Sequence, residues 1–166
     1  MSKNFIITND NVREYAKKIG EWIKNKVNEA GTEGVVLGMS GGVDCSTVAM
    51  LCKNAGIKLH LVILPYGEHM KNSNTYSNAM ELINTSNFEY HIFDIKPAVD
   101  ALIIPTEETT YKTELARANI RPRIRMTYLY EYAQINNLLV IGTGNLSEGR
   151  MRIQYQFTKA AWRNPV

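Results

Sequence analysis

Four short aliphatic runs set the main constraint: GVVLGMS at 34–40, LHLVILP at 59–65, EYHIFDI at 89–95 and LLVIGTG at 138–144. Several carry consecutive apolar residues instead of a strict apolar–polar alternation. Such runs belong to strands covered on both faces, which is the habit of parallel sheets. Parallel neighbours need long crossovers, normally helical. Helical periodicity fills the gaps. Val12, Tyr15, Ala16, Ile19, Trp22, Ile23 and Val27 recur at helical spacing, and Gly31 and Gly34 close that segment. Residues 43–54 read as a second helix, 72–85 as a third, and a short one follows Pro97. The stretch 113–136 reads as helical but contains Pro122, which predicts a kink or two helices. The expected fold is α/β: a Rossmann-like doubly wound parallel sheet of about four or five strands, helices on both faces.

The 166 residues suit one domain, 1–166, with no internal repeat and no low-complexity linker. A net charge of +3 with no basic cluster suits a small anionic ligand and argues against nucleic acid. Two cysteines, Cys45 and Cys52, lie about two helical turns apart, so they are expected to be reduced thiols in the cytoplasm. No apolar stretch approaches the roughly 18 residues of a membrane span, and the first residues lack a signal-peptide core. His60, His69 and His91 show no metal-ligand spacing and read as structural or surface residues.

GMSGGVDCSTVAM, residues 38–50, joins the first predicted strand to the second predicted helix. Open α/β sheets bind ligands at that position. Gly38, Gly41 and Gly42 permit positive φ and close backbone approach. Successive N–H groups at a helix N-terminus make an anion nest, and Ser40 and Ser46 add hydroxyls. Asp44 would repel a phosphate unless a cation such as Mg²⁺ bridges the two. Walker A is excluded because no lysine follows the second glycine. The plainer alternative is a Gly/Ser turn with Asp44 capping the helix.

SGGVD followed by hydroxyl residues resembles the pyrophosphate loop of the AMP-forming ATP pyrophosphatases. LPYG (64–67), FDIK (93–96), NIRPRIRM (119–126) and GTGNLSE (142–148) follow in order. Together they resemble the ammonia-dependent NAD synthetase family from about residue 10 to residue 148. The resemblance implies the adenine-nucleotide α-hydrolase fold and an AMP-forming ligase using ATP, Mg²⁺, deamido-NAD and ammonia. It places Gly38, Ser40, Gly41, Gly42, Asp44, Cys45, Ser46 and Thr143 at ATP. It places Asp44 and Glu148 on the metal, and Arg123 and Lys159 on deamido-NAD. It assigns no catalytic acid, base or nucleophile. It also implies a homodimer, with Tyr128, Leu129, Tyr132 and Ile135 either at the interface or buried in the monomer. Arg121, Arg123 and Arg125 cannot all share one helix face, so one or two serve a ligand or all are solvated.

The chain departs from the family in places. Cys45 stands where a serine is more usual, and a thiol is a weak donor. Residues 67–83 carry Asn and Ser where family members carry acids. Phe157, Thr158 and Lys159 echo the family's FTK three residues late, with no following Gly-Asp. Family members also run well beyond residue 166, so a shortened domain is expected. Two other readings stay open: an ATP-binding or dimerising module without turnover, and another AMP-forming amidotransferase or ligase.

Overall fold

The computed structural model describes residues 8, 11–105 and 111–144. Helix α1 (Val12–Glu29) leads into β1 (Gly34–Gly38), α2 (Val43–Asn54) and β2 (Leu59–Ile63). A 3₁₀ turn (Glu68–Asn72) precedes α3 (Asn74–Ser86) and β3 (Glu89–Ile92). The short α4 (Lys96–Ala101), the long α5 (Tyr111–Ile135) and β4 (Leu138–Ile141) complete the order. All strand pairings are parallel, in the order β3-β2-β1-β4.

The chain steps outward from β1 to β3, then returns to the other side of β1 through α4 and α5. Right-handed crossovers running in opposite directions must lie on opposite faces. The core therefore has two layers. On one face Val35, Leu37, Leu61 and Ile63 meet Ile23 and Val27 of α1, Cys45, Ala49 and Cys52 of α2, and Ala79 and Ile83 of α3. On the other, Val36, Val62 and Leu64 meet Ile95 and Val99, with Ala133 of α5. Neighbouring residues of β1 and β2 thus enter different cores, which is why those strands read as continuous apolar runs, whereas the edge strand β3 stays largely exposed. Three helices end alike. Thr32, Ile57 and Phe88 each donate their N–H to a carbonyl five residues back, across Gly31, Gly56 and Asn87 at positive φ.

Pro122 does not divide the long helical segment. Helix α5 runs unbroken from Tyr111 to Ile135 with the proline inside it. A proline in a helix interior costs about 3 kcal/mol. Ile120, Ile124, Tyr128, Leu129 and Tyr132 flank it and pack against the second core. Each such side chain contributes about 1.5–3 kcal/mol when fully buried. Even at half that value the packing outweighs the proline.

Two of the histidines come together in the fold. His60 is buried on β2, and the parallel register sets it against Glu89, with His91 next on the same face of β3. Scattered in sequence, His60 and His91 are stacked in space, their ring centroids 6.3 Å apart. The His69 side chain lies outside the description. Cys45 and Cys52 are buried free thiols, and burial pushes the Cys52 thiol up to about 11.

Candidate nucleotide site

Strand β1 ends at Gly38, and Met39 still donates its N–H to the Val62 carbonyl. The chain then turns sharply. Gly41 has φ +81°, and a Cβ there would lie 1.8 Å from the Thr75 carbonyl oxygen of α3. No side chain fits. Gly42 is the N-cap of α2, and no side chain caps the helix. Asp44 is exposed in the first turn and makes no cap, so the capping alternative is not what the loop does. The first-turn N–H groups of α2 form the positive end of its dipole beside a bare glycine loop.

The loop's side chains hold it from within. The Ser40 hydroxyl accepts the Gly42 N–H at 3.3 Å and touches the Cys45 sulfur at 3.3 Å. Cys45 points into the core beneath the loop, 8% exposed. Ser46 donates its hydroxyl to the Gly42 carbonyl at 3.0 Å. In this arrangement Gly41 packs against the Thr75 backbone, while Ser40, Cys45 and Ser46 brace the loop.

Beside the loop, at the carboxyl ends of β1 and β2, lies a cavity of about 480 Å³. Gly38, Ser40 and Gly42 form one wall, Leu64 and Pro65 a second, Ser73, Thr75 and Tyr76 a third. Leu129 and Arg125 of α5 close the side. The lining is mainly apolar, with Ser40, Ser73, Thr75, Tyr76 and Arg125 as its polar side chains, a composition suited to a small ligand with polar groups.

Three of the arginines of α5, Arg121, Arg123 and Arg125, divide between two faces of the helix. Arg125 donates Nε–H to the Leu64 carbonyl at 2.9 Å and lines the cavity. Burial, with Arg121 nearby, holds its pKa below the ordinary arginine range. Arg121, four residues earlier, lies 4.1 Å over the Tyr66 ring. Arg123 sits on the opposite side, exposed, with its guanidinium on the Asn119 carbonyl at 2.5 Å. Arg125 was not singled out from the sequence, although the i,i+4 relation to Arg121 puts those two on one helix face.

LPYG and FDIK meet as a clasp at the carboxyl ends of β2 and β3. Asp94 accepts N–H bonds from Lys96 at 2.8 Å and Gly67 at 2.9 Å. Those two bonds, Lys96 first, hold its carboxyl below the usual carboxylate range. Ile95 donates to the Pro65 carbonyl at 2.9 Å, and Tyr66 donates its hydroxyl to Asp100 at 2.8 Å. Asp94 is thus a positioning residue for the cavity's wall. Thr143 follows the end of β4, half-buried, on the other side of β1. Glu148 and Lys159 lie outside the described residues.

Residues 15–159 match the family model described as NAD synthase. The chain belongs to the NAD synthase family. It is 38% identical over 136 residues to the NH(3)-dependent NAD(+) synthetase of Campylobacter jejuni strain 81-176, covering 82% of this chain and 54% of that protein. The corresponding protein of Methanococcus aeolicus is 41% identical over 146 residues, covering 83% and 55%. The chain therefore spans about half the length of the curated relatives it matches. Among solved structures, an NH3-dependent NAD synthetase from C. jejuni in complex with the nitrate ion superposes with TM-score 0.73 at 37% identity, covering 82% of this chain and 58% of that one. An NMN synthetase from Francisella tularensis gives TM-score 0.71 at 35% identity, covering 82% and 56%. The four-stranded parallel sheet is accordingly the Rossmann-like, adenine-nucleotide α-hydrolase fold of NAD synthases. Family membership makes the chain kin to ATP-dependent ligases of NAD biosynthesis. No helix among the described residues is long and apolar enough to cross a membrane.

Proposed function

We propose that this chain, a single nucleotide-binding domain, carries the ATP half of an ammonia-dependent NAD synthetase. The observation that supports this reading best is the uncapped glycine loop of α2 opening beside the cavity at the carboxyl ends of β1 and β2. The backbone N–H groups of Gly41, Gly42 and the first turn of α2 would take the polyphosphate. Ser40 and Ser46 would turn their hydroxyls to it, Gly38 would leave room, Cys45 would brace the loop from below, and Thr143 would approach from β4. The apolar part of the cavity would take the adenosine.

Asp44 presents an exposed oxygen donor beside the loop, which fits a hard cation. Asp44 and Glu148 would hold Mg²⁺, which when bound neutralises phosphate charge. The chemistry proposed is attack of the nicotinate carboxylate of deamido-NAD on the α-phosphate, departure of pyrophosphate, and displacement of AMP by ammonia. The chain's own work is to hold phosphates in line and to exclude water from the adenylate. Arg123 and Lys159 would bind deamido-NAD, and the unit would act as a cytoplasmic homodimer.

The test is an assay with Mg-ATP, ammonium and deamido-NAD that measures NAD and AMP separately. NAD and AMP in equal amounts support the reading, and Asp44→Ala should abolish both while leaving the fold intact. AMP without NAD, dependent on deamido-NAD, would mean adenylation followed by hydrolysis. ATP binding without either product would favour a nucleotide-binding module. Because one relative is an NMN synthetase, the deamido mononucleotide is offered in parallel, and turnover of it alone would change the substrate assignment.

A further inference from the structure

The end of the sheet opposite the nucleotide cavity holds a second group of chemistry-bearing residues. His60 and Glu89 are register partners near the starts of β2 and β3. His91 follows on the same face, because alternate residues of a strand share a side. We infer that His60, Glu89 and His91 form a binding site for one divalent transition-metal ion of the zinc class. The inference does not depend on the nucleotide reading.

Three observations carry it. First, one ligand atom from each residue lies within 4.8 Å of the others, and this is the one such trio found among the described residues. Glu89 Oε1 is 3.7 Å from His60 Nδ1 and 3.6 Å from His91 Nε2. Those separations are too long for hydrogen bonds. They are close to the ~3.4 Å between ligands around a tetrahedral ion with bonds of about 2.0–2.1 Å. Second, the site holds a buried ligand atom in want of a partner. His60 is 6% exposed, and the Nε2 of His91 is buried with no hydrogen-bond partner. An ion at the meeting point gives the His91 Nε2 a partner. Third, the surroundings suit a cation. Lys58, the nearby positive charge, is engaged by Glu33 at 2.8 Å. Glu89 and the His91 side chain stay partly open to solvent, 59% and 40% exposed, so an ion can enter.

The donor set selects the ion. Two imidazoles and one carboxylate suit Zn²⁺ and its neighbours, whereas Mg²⁺ and Ca²⁺ prefer oxygen alone. The Tyr132 hydroxyl, 2.9 Å from His60 Nδ1, occupies that nitrogen when no ion is bound. It would give way to the ion and leave the fourth position to water. Bound metal would tie the edge strand β3 to β2.

The experiment is equilibrium dialysis of the full chain against Zn²⁺ in a non-coordinating buffer, with Co²⁺ as a spectroscopic stand-in. One ion per chain is expected, with visible Co²⁺ bands lacking sulfur charge transfer, which excludes Cys45 and Cys52. Glu89→Gln and His91→Gln, chosen because both side chains are partly exposed, should each weaken binding by at least about tenfold with circular dichroism unchanged. Zn²⁺ should also raise the melting temperature of the parent chain and not of the variants. Failure to bind Zn²⁺ at micromolar concentration, or binding unchanged in both variants, overturns the site. Displacement by equimolar Mg²⁺ overturns the choice of ion.

Discussion

Gly41 answers to two constraints at once. Its φ of +81° costs a residue with a side chain about 1–3 kcal/mol, and a Cβ would collide with the Thr75 carbonyl. Gly41→Ala should therefore lower unfolding free energy by more than that strain alone, and should abolish ATP binding measured by calorimetry. Asp94 makes a prediction with a sign. Its folded carboxyl titrates below the unfolded one, so its contribution is present above the ordinary carboxylate range. It is lost as pH falls through the depressed folded pKa. Asp94 is exposed and its charge is screened by solvent, so Asp94→Asn should cost no more than about 1 kcal/mol at pH 7, and denaturant curves for parent and variant should converge in acid. A constant gap across that range would mean the carboxylate's charge contributes nothing. The sequence marked Gly41 for positive φ and close backbone approach, but neither its partner nor the role of Asp94 was legible beforehand. The glycine's partner is 34 positions away in sequence (Thr75), and the aspartate's Gly67 partner lies on another strand's loop.

At the scale of elements, the order of helices and strands could be read from period alone, because buried parallel strands and amphipathic helices leave different patterns. The strand ends could not. Each apolar run extends past its strand: Leu64 and Pro65 follow β2, and Phe93 to Ile95 follow β3. Those overhanging residues are the ones that build the cavity and its clasp. Motifs marked the same positions without saying which side chain faces inward, so Arg123 drew attention while Arg125 lines the cavity. The meeting of His60, Glu89 and His91 depends on register between two strands, which no single segment encodes. Helix α3 starts at Ser73, whose hydroxyl accepts the Tyr76 N–H at 3.2 Å and donates to the Met70 carbonyl at 2.7 Å. Ser73→Ala should cost about 0.5–2 kcal/mol in urea unfolding, and Ser73→Gly only a few tenths in its capping part. Equal losses in both would point to the Met70 bond as the larger share.

Among the described residues of the whole molecule, the central strands β1 and β2 are covered on both faces, but some large side chains elsewhere are not. Ile135, at the end of α5, is 74% exposed and Trp22 of α1 is 60% exposed. Tyr128, Leu129 and Tyr132 are instead partly buried against the second core, so of the proposed interface residues Ile135 is the one left outward. If the homodimer forms through α5, sedimentation velocity should show a dimer, and Ile135→Arg should shift it to monomer without moving the melting temperature. A parent chain that sediments as a monomer removes this interface.

The contact between Gly41 and Thr75 also bears on how such a domain can be rebuilt. One loop rests on the bare backbone of the other, with no side chain between them to absorb a mismatch. Chimeras of family members should therefore tolerate junctions within α1 or after β3 far better than a junction between residues 42 and 74. The span from β1 to the start of α3 should behave as one exchangeable cassette, and shuffled libraries cut inside it should lose nucleotide binding before they lose the fold.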